Sequence, residues 1–182
     1  MVLFNLCGGP GAGKTTASFY LAYRLKKAGY RTELVGEAAR ELIYSHDPDS
    51  VAPPLLDNQI LLAGLQYERI LRLKRHGADV AISDSPLIQG LLYCQSHPYY
   101  DALMQCVRDV EPGIMTYNIY IERNFPYDPE SRTQKTEAEA RSHDATVKSL
   151  VRFFWLEVKA GQERKIASRV LKLLSTLGHS RS

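Results

Sequence analysis

One short glycine-rich stretch constrains the fold of this chain more than any other feature of its sequence. It follows an apolar run at residues 2–7, precedes a helical pattern, and reads Gly8-Gly9-Pro10-Gly11-Ala12-Gly13-Lys14-Thr15-Thr16. A glycine, four residues and then Gly-Lys-Thr, between a strand and a helix, is the spacing of the phosphate-binding P-loop. Bare backbone at the glycines lets several N–H groups and a helix N-terminus face one phosphate. The alternative is a plain turn, but all fixed positions agree, and we predict that this whole stretch binds a nucleoside triphosphate.

Two side chains of this loop have distinct expected roles. The ammonium group of Lys14 can reach the β- and γ-phosphates, and the hydroxyl group of Thr15 can ligate Mg²⁺. The expected cofactors are therefore ATP and Mg²⁺.

Length and composition fit a single domain that spans residues 1–182. The formal net charge of +3 permits a polyanionic partner without requiring one. Cys7, Cys94 and Cys106 lack metal-binding spacing, which favours free thiols in a reducing compartment. No apolar stretch approaches the ~18 residues of a membrane span, and the first strand leaves no room for a signal peptide. We expect no membrane partner and a cytoplasmic protein.

Strand-like and helix-like segments alternate along the chain, which predicts a parallel sheet covered by helices on both faces. The expected fold is a P-loop NTPase α/β/α sandwich with a central, mostly parallel five-stranded sheet. Its strands are predicted at residues 2–7, 32–35, 78–84, 115–121 and 153–158. The first helix has Phe19, Ala22, Tyr23 and Lys26 at helical spacing, which we expect on one face. Asp57 is expected to cap the helix that ends at residue 76.

Several charged residues directly follow predicted strands. Glu37, Asp84, Arg123 and Lys159 all do so, as does the loop at residues 8–16. Ligands of parallel α/β sheets bind at the carboxyl ends of the strands. We therefore expect these residues to converge on one edge of the sheet.

Asp84 closes an apolar strand, as the acidic residue that holds Mg²⁺ in P-loop enzymes does. It could instead cap the helix that follows Pro86, a role that Ser83 or Ser85 could equally fill. The need of a P-loop for such a carboxylate favours the metal-linked role.

Glu37 is predicted on the strand beside the P-loop strand. Its carboxylate can accept the proton of an attacking hydroxyl group or hold that group in line, and Arg40 can bind an anionic acceptor. The alternative is a first-turn glutamate that only complements the helix dipole. Whether Glu37 or Asp84 takes the proton stays open.

The polar stretch at about 123–135 is predicted to be a mobile lid. An arginine brought over the γ-phosphate would neutralise charge in the transition state. Arg132 is the first candidate and Arg123 the second, with a solvated basic loop as the alternative. The turn at 159–161 lies where adenine is commonly held by backbone contacts.

On these residues the chain resembles the small P-loop nucleoside and nucleotide kinases. Gly8–Thr16 resembles their phosphate loop, Glu37 and Arg40 their acceptor-binding elements, Asp84 their second acidic strand end, and 123–134 their lid. The lid together with 137–141 and Asp144 is similar to phage-encoded members and, more distantly, to ribosylnicotinamide kinase domains. The chain departs from standard thymidylate and deoxynucleoside kinases at Asp84-Ser85-Pro86, where they have Asp-Arg or Glu-Arg-Ser.

The resemblance also implies an acceptor. Some phage relatives phosphorylate 5-hydroxymethyluracil within DNA during thymidine hypermodification, and the slight positive charge suits such a substrate. The specific expectation is a kinase of the hydroxymethyl group of this base in viral DNA, acting in the host cytoplasm. The alternatives are a kinase of a free nucleoside or nucleoside monophosphate, and an NTP-hydrolysing ATPase or regulator. The Asn-Lys-x-Asp string of a GTPase is absent.

Overall fold

The computed structural model of the chain describes residues 1–45, 58–94, 98–109, 114–124, 136–151 and 153–178. Strands and helices alternate in it as the sequence predicts. The strands are β1 Val2–Cys7, β2 Thr32–Val35, β3 Val80–Ser83, β4 Met115–Glu122 and β5 Leu156–Lys159. The helices are α1 Lys14–Lys27, α2 Ala38–Ser45, α3 Gln59–Arg75, α4 Leu87–Gly90, α5 Tyr100–Asp109, α6 Glu137–Leu150 and α7 Glu163–Thr176, with a 3-10 turn at Leu91–Cys94.

The five strands form one sheet in the order β2-β3-β1-β4-β5, and each neighbouring pair is parallel. β1 is fully buried and lies at the centre, between two partners, as expected of a continuous apolar run in a parallel sheet. The predicted α/β/α architecture is confirmed, with a sheet that is wholly parallel. The expectation that β2 lies beside β1 is wrong, because β3 lies between them.

The strand order follows from how each strand can be covered. β3 is buried at every position, whereas β2 is buried only at its two ends and leaves Glu33 exposed. A uniformly buried strand takes an inner place in a parallel sheet, and a strand with a solvated residue takes the edge.

Two apolar layers cover the faces of the sheet. Alternate residues of β1, including Phe4 and Leu6, pack with α1 and α7 in the larger core. On the opposite face, Leu3 packs in a cluster with Ile70 of α3, and Cys7 packs with Val147 of α6. The alternation places helices on both faces and leaves the carboxyl ends of the strands at one edge.

Two local expectations need correction. In α1, Phe19 and Tyr23 are 61% and 59% exposed, and Ala22 is the one residue that the predicted face shares with the buried face. The buried residues of α1 are Ala17, Ser18, Leu21, Ala22 and Leu25. The N-cap of α3 is Asn58, whose side chain accepts a hydrogen bond from the Leu61 N–H, and Asp57 lies outside the described residues. Within the described ranges, none of the helices combines the length and apolar character that crossing a bilayer requires.

Candidate active site

The glycine-rich stretch forms a tight loop between β1 and α1. Gly13 is the N-cap of α1 with φ 84°, a left-handed conformation that favours glycine. Gly8 is needed for a second reason, since a Cβ atom there would lie 2.6 Å from the carbonyl oxygen of Ile121 in β4. The loop can therefore follow β4 closely, and the N-terminus of α1 opens directly at its end.

Lys14 lies against this loop. Its Nζ atom donates hydrogen bonds to the carbonyl oxygens of Gly8 and Gly9, at 2.8 and 2.9 Å. Burial lowers the pKa of Lys14 to about 8, while the carboxylates of Asp84 and Glu37 act in the opposite direction. The loop thus holds an ammonium group whose charge a phosphate would stabilise.

Thr15 and Asp84 meet beside the loop. The Thr15 hydroxyl donates to Oδ2 of Asp84 at 2.7 Å, across a separation of 69 residues. The N-cap position of α4 is occupied by Pro86, two residues after Asp84. A hydroxyl and a carboxylate oxygen are hard donors of the kind that Mg²⁺ takes from a protein, alongside phosphates and water. The pair fits Mg²⁺.

Glu37 follows β2 at the same edge of the sheet. Its charge acts on two groups: it opposes the lowering of the Lys14 pKa by burial, and it adds to the raising of the Tyr93 pKa by burial. Glu37 therefore lies within electrostatic range of the loop even though β3 separates β2 from β1. The side chain of Arg40, in α2, lies outside the described residues.

Of the segment predicted to be a lid, the structure describes only the first two residues, 123 and 124. Arg132 and the rest of 125–135 lie outside the described residues, so only Arg123 of the two lid arginines has a described place. Arg123 directly follows β4, and its guanidinium group donates to both carboxylate oxygens of Asp144 in α6. This ion pair lies against Gly9.

The turn after β5 borders the other end of the loop. Lys159 is the last residue of β5, and the Asn124 amide donates to the carbonyl oxygen of Ala160 at 3.4 Å. A Cβ atom on Gly13 would lie 3.6 Å from the Ala160 side chain. The turn is thus adjacent to the start of α1, as its position after a strand predicts.

Gln89 of α4 is a contact of the loop that the sequence analysis did not single out. Its amide oxygen accepts from the Gly8 N–H at 3.3 Å, and its amide nitrogen donates to the Gly8 carbonyl at 3.0 Å. Both polar backbone groups of the first loop glycine are held by this one side chain. The only sequence signal is a polar residue in the short helix after Asp84.

His143 and Tyr93 form a second unpredicted group near the loop. Their ring centroids are 5.8 Å apart. The Nε2 atom of His143 is buried and has no hydrogen-bond partner within the described part of the chain. The pKa of His143 is lowered by burial and by the charge of Lys14. An imidazole whose pKa is lowered, and whose Nε2 atom has no partner among the described residues, therefore lies within electrostatic range of Lys14.

ATP binding is expected to draw in protons near pH 8. Because the pKa of Lys14 is about 8 in the free protein, about half of the lysines are neutral at that pH. Phosphate charge raises this pKa, so the complex holds more protons and takes up about half a proton per nucleotide at pH 8, and less at pH 7. Isothermal titration calorimetry in two buffers of different ionisation enthalpy measures this uptake.

Lys14→Arg is the control for that measurement, because a guanidinium group stays charged throughout this pH range. It should remove the difference between the two buffers. Equal binding enthalpies in both buffers for the unmodified protein at pH 8 would contradict the conclusion that Lys14 takes up a proton when ATP binds.

Comparisons with known proteins identify a matching family model and several solved structures with a similar fold. Residues 3–164 match the family model AAA_28, described as an AAA domain. The search of curated protein sequences found no match. Solved structures with a similar fold include a NadR protein in complex with NR, with a TM-score of 0.59 and 19% identity over 86% of this chain. This chain covers 45% of that NadR chain, which is less than half of its length.

Two further structures match nearly end to end. Shikimate kinase from Aquifex aeolicus has a TM-score of 0.53 and 13% identity, and covers 98% of both chains. Thymidylate kinase from Ehrlichia chaffeensis has a TM-score of 0.60 and 14% identity, over 95% of this chain and 98% of its own. The fold is therefore that of the P-loop kinases.

Proposed function

This chain belongs to the AAA domain family, and on that premise we propose that it is a kinase that transfers the γ-phosphate of ATP to a nucleoside-type acceptor. The observation that carries the proposal is the hydrogen bond between Thr15 and Asp84 beside the ammonium group of Lys14. These are the groups that a magnesium nucleotide needs at a P-loop. The likeness of the fold to solved kinases supports transfer to an acceptor over hydrolysis.

The proposed roles divide among residues of one sheet edge. The loop at residues 8–16 would bind the phosphates, and Thr15 and Asp84 would hold Mg²⁺. Bound Mg²⁺ neutralises charge on the phosphate oxygens during transfer. Lys14 balances the negative charge of the β- and γ-phosphates, and Arg123 and Arg132 are the proposed arginines at the γ-phosphate.

The reaction transfers one phosphoryl group. The acceptor hydroxyl oxygen forms a bond to the γ-phosphorus while the bond from that phosphorus to the β–γ bridging oxygen breaks, and ADP leaves. The proton of the hydroxyl group passes to a carboxylate, for which Glu37 is the first candidate and Asp84 the second. Arg40 is proposed to bind an anionic group of the acceptor.

The specific acceptor that we propose is the hydroxymethyl group of 5-hydroxymethyluracil in viral DNA. The resemblance of residues 123–134, 137–141 and Asp144 to phage-encoded kinases supports it, as does the net charge of +3. A free nucleoside or nucleoside monophosphate is the alternative, which the likeness to a NadR protein in complex with NR favours.

Phosphoryl transfer from γ-labelled ATP with Mg²⁺ tests the proposal. One set of acceptors holds free nucleosides and monophosphates, including nicotinamide riboside, and the other holds DNA with and without 5-hydroxymethyluracil. Label on the modified DNA alone supports the specific acceptor, and label on a small molecule supports the alternative. Label released only as free phosphate would overturn the kinase assignment in favour of a hydrolase.

Glu37→Gln is expected to slow transfer about 10²- to 10⁴-fold, the usual contribution of a general base, while the Kd for ATP at about pH 6.5, where Lys14 stays charged, changes less than about twofold. The amide keeps the shape of the side chain but cannot take a proton. Transfer rate and ATP affinity are measured side by side.

Glu33→Gln is the matched control for that variant. Glu33 lies in β2, the strand that precedes Glu37, and its carboxylate forms an exposed ion pair with Lys26. This control should transfer phosphate at the unmodified rate. A Glu37→Gln protein that did the same would show that Glu37 is not the base.

A further inference from the structure

Arg123 and Asp144 form an ion pair that is more buried than the other ion pairs among the described residues. Their side chains are 5% and 15% exposed, and Nε and Nη2 of Arg123 each donate to one carboxylate oxygen at 3.2 Å. By contrast, the Glu137–Arg141 pair on the same helix is exposed. Burying two charges costs desolvation energy that their attraction only roughly offsets. Stability of the fold is thus a poor explanation for this pair.

Gly9 supplies the space that the pair occupies. A Cβ atom on Gly9 would lie 1.8 Å from Oδ1 of Asp144 and 3.1 Å from Nη2 of Arg123. Gly9 is not among the glycines with a positive φ, so its backbone conformation does not require glycine. The missing side chain at this position instead allows the ion pair to lie directly on the phosphate loop.

The pair also lies within electrostatic range of the lysine of the loop. Asp144 is among the charges that raise the pKa of Lys14, and Lys14, Arg123 and Asp144 all act on His143. A bare carboxylate at this place would repel a bound phosphate, whereas one paired with arginine does not. A guanidinium group has five N–H donors, so an arginine held by a carboxylate through two of them can still bind a phosphate oxygen.

We propose that Asp144 is a positioning residue, which holds the guanidinium group of Arg123 on the Gly9 side of the phosphate loop so that it meets the terminal phosphate of a bound triphosphate. The inference rests on the proposed function, because it assigns Asp144 a part in recognising the phosphate that is transferred. Asp144 acts through Arg123 and does not itself touch the nucleotide.

Discrimination between a triphosphate and a diphosphate tests the inference without any acceptor. The probes are AMP-PNP and ADP, each with Mg²⁺, titrated by calorimetry. Asp144→Asn keeps the size of the side chain but removes its charge. It is expected to reduce the preference for AMP-PNP over ADP about tenfold while the Kd for ADP stays within about twofold. An unchanged preference would overturn the inference.

Glu137→Gln is the matched control, since it removes a carboxylate from an ion pair of the same helix that lies at the surface. It should keep the full preference. Thermal unfolding of each variant shows whether it is folded. The Kd for ADP is a second check, because a misfolded protein would lose ADP binding as well as the preference for AMP-PNP.

A double-mutant cycle shows whether Asp144 acts through Arg123. Once Arg123→Ala has removed the guanidinium group, adding Asp144→Asn is expected to cause no further loss of preference. Additive losses would overturn the positioning role.

The outcomes separate this inference from the proposed function. A protein that prefers AMP-PNP in an Asp144-dependent way but transfers no label would overturn the kinase assignment and leave the inference standing. A protein that transfers label while Asp144→Asn keeps the full preference would do the reverse.

Discussion

Lys14→Ala is expected to reduce phosphoryl transfer roughly 10³-fold, the upper range for removing one preorganised charge from a transition state. In the free protein its Nζ atom is bonded to the carbonyl oxygens of Gly8 and Gly9, so the ammonium group is already held at the loop. A triphosphate would bring more negative charge to this site than those carbonyls carry. Initial rates with γ-labelled ATP, and the Kd for ATP, measure the loss.

The same variant should not destabilise the nucleotide-free protein. Burial lowers the pKa of Lys14 to about 8, which means that the charged form is disfavoured in the fold relative to water. At pH 7 the lysine is still charged, so removing it relieves that cost, and the unfolding temperature should stay the same or rise. Transfer within tenfold of the unmodified rate, in a folded protein, would contradict the role of Lys14.

The position and shape of the glycine-rich loop could be predicted because they are local in sequence. Gly8, Gly13, Lys14 and Thr15 stand at fixed spacing, and a strand and helix on either side leave one arrangement for them. The carboxylate of Asp84 could be placed as well, since a parallel sheet brings the residue after each strand to one edge. Its contact with Thr15 needed only that the two strands be neighbours.

Strand order and helix faces were harder to predict. Glu33 in residues 32–35 is a charged residue that suits an edge strand, and β2 does lie at the edge of the sheet. The order of the strands along the chain suggested instead that β2 lies next to β1. In α1 the aromatic residues Phe19 and Tyr23 looked like the packed face. The helix instead packs close to the sheet through small and aliphatic residues such as Ala17 and Leu21, which leaves the rings outside.

Residues that act on the loop from far along the chain could not be found by spacing. Gln89 bonds to Gly8 across 81 residues, and no local pattern marks an amide in a four-residue helix. Asp144 entered the sequence analysis only as part of the resemblance to phage-encoded kinases, and its contacts with Arg123 and with the space at Gly9 are visible only in the fold. Such contacts depend on tertiary packing, which a single sequence does not encode as a repeat or a motif.

Asp84→Asn is expected to lower transfer on the order of 10²- to 10³-fold and to raise the Mg²⁺ concentration needed for half-maximal rate, because a neutral amide is a poor ligand for Mg²⁺. The fold should be unaffected, since the amide oxygen can still accept the hydrogen bond of Thr15. Initial rates over a Mg²⁺ series measure both effects. This substitution also separates the metal-linked role from a capping role, because asparagine caps a helix as well as aspartate does.

The loss caused by Asp84→Asn should also depend on pH, with a sign set by Lys14. Burial lowers the pKa of Lys14 to about 8, and Asp84 is the charge that most strongly opposes this lowering. Removing the charge of Asp84 should therefore lower the pKa of Lys14 further. Lys14 then becomes neutral at lower pH, and ATP binding weakens at a pH where the unmodified protein still binds. The ratio of the variant's Kd for ATP to that of the unmodified protein, both measured without Mg²⁺, should therefore be larger at pH 8 than at pH 6.5. A constant ratio between the two pH values would show that Asp84 does not sustain the charge of Lys14, and unchanged rates at every Mg²⁺ concentration would exclude it as the metal ligand.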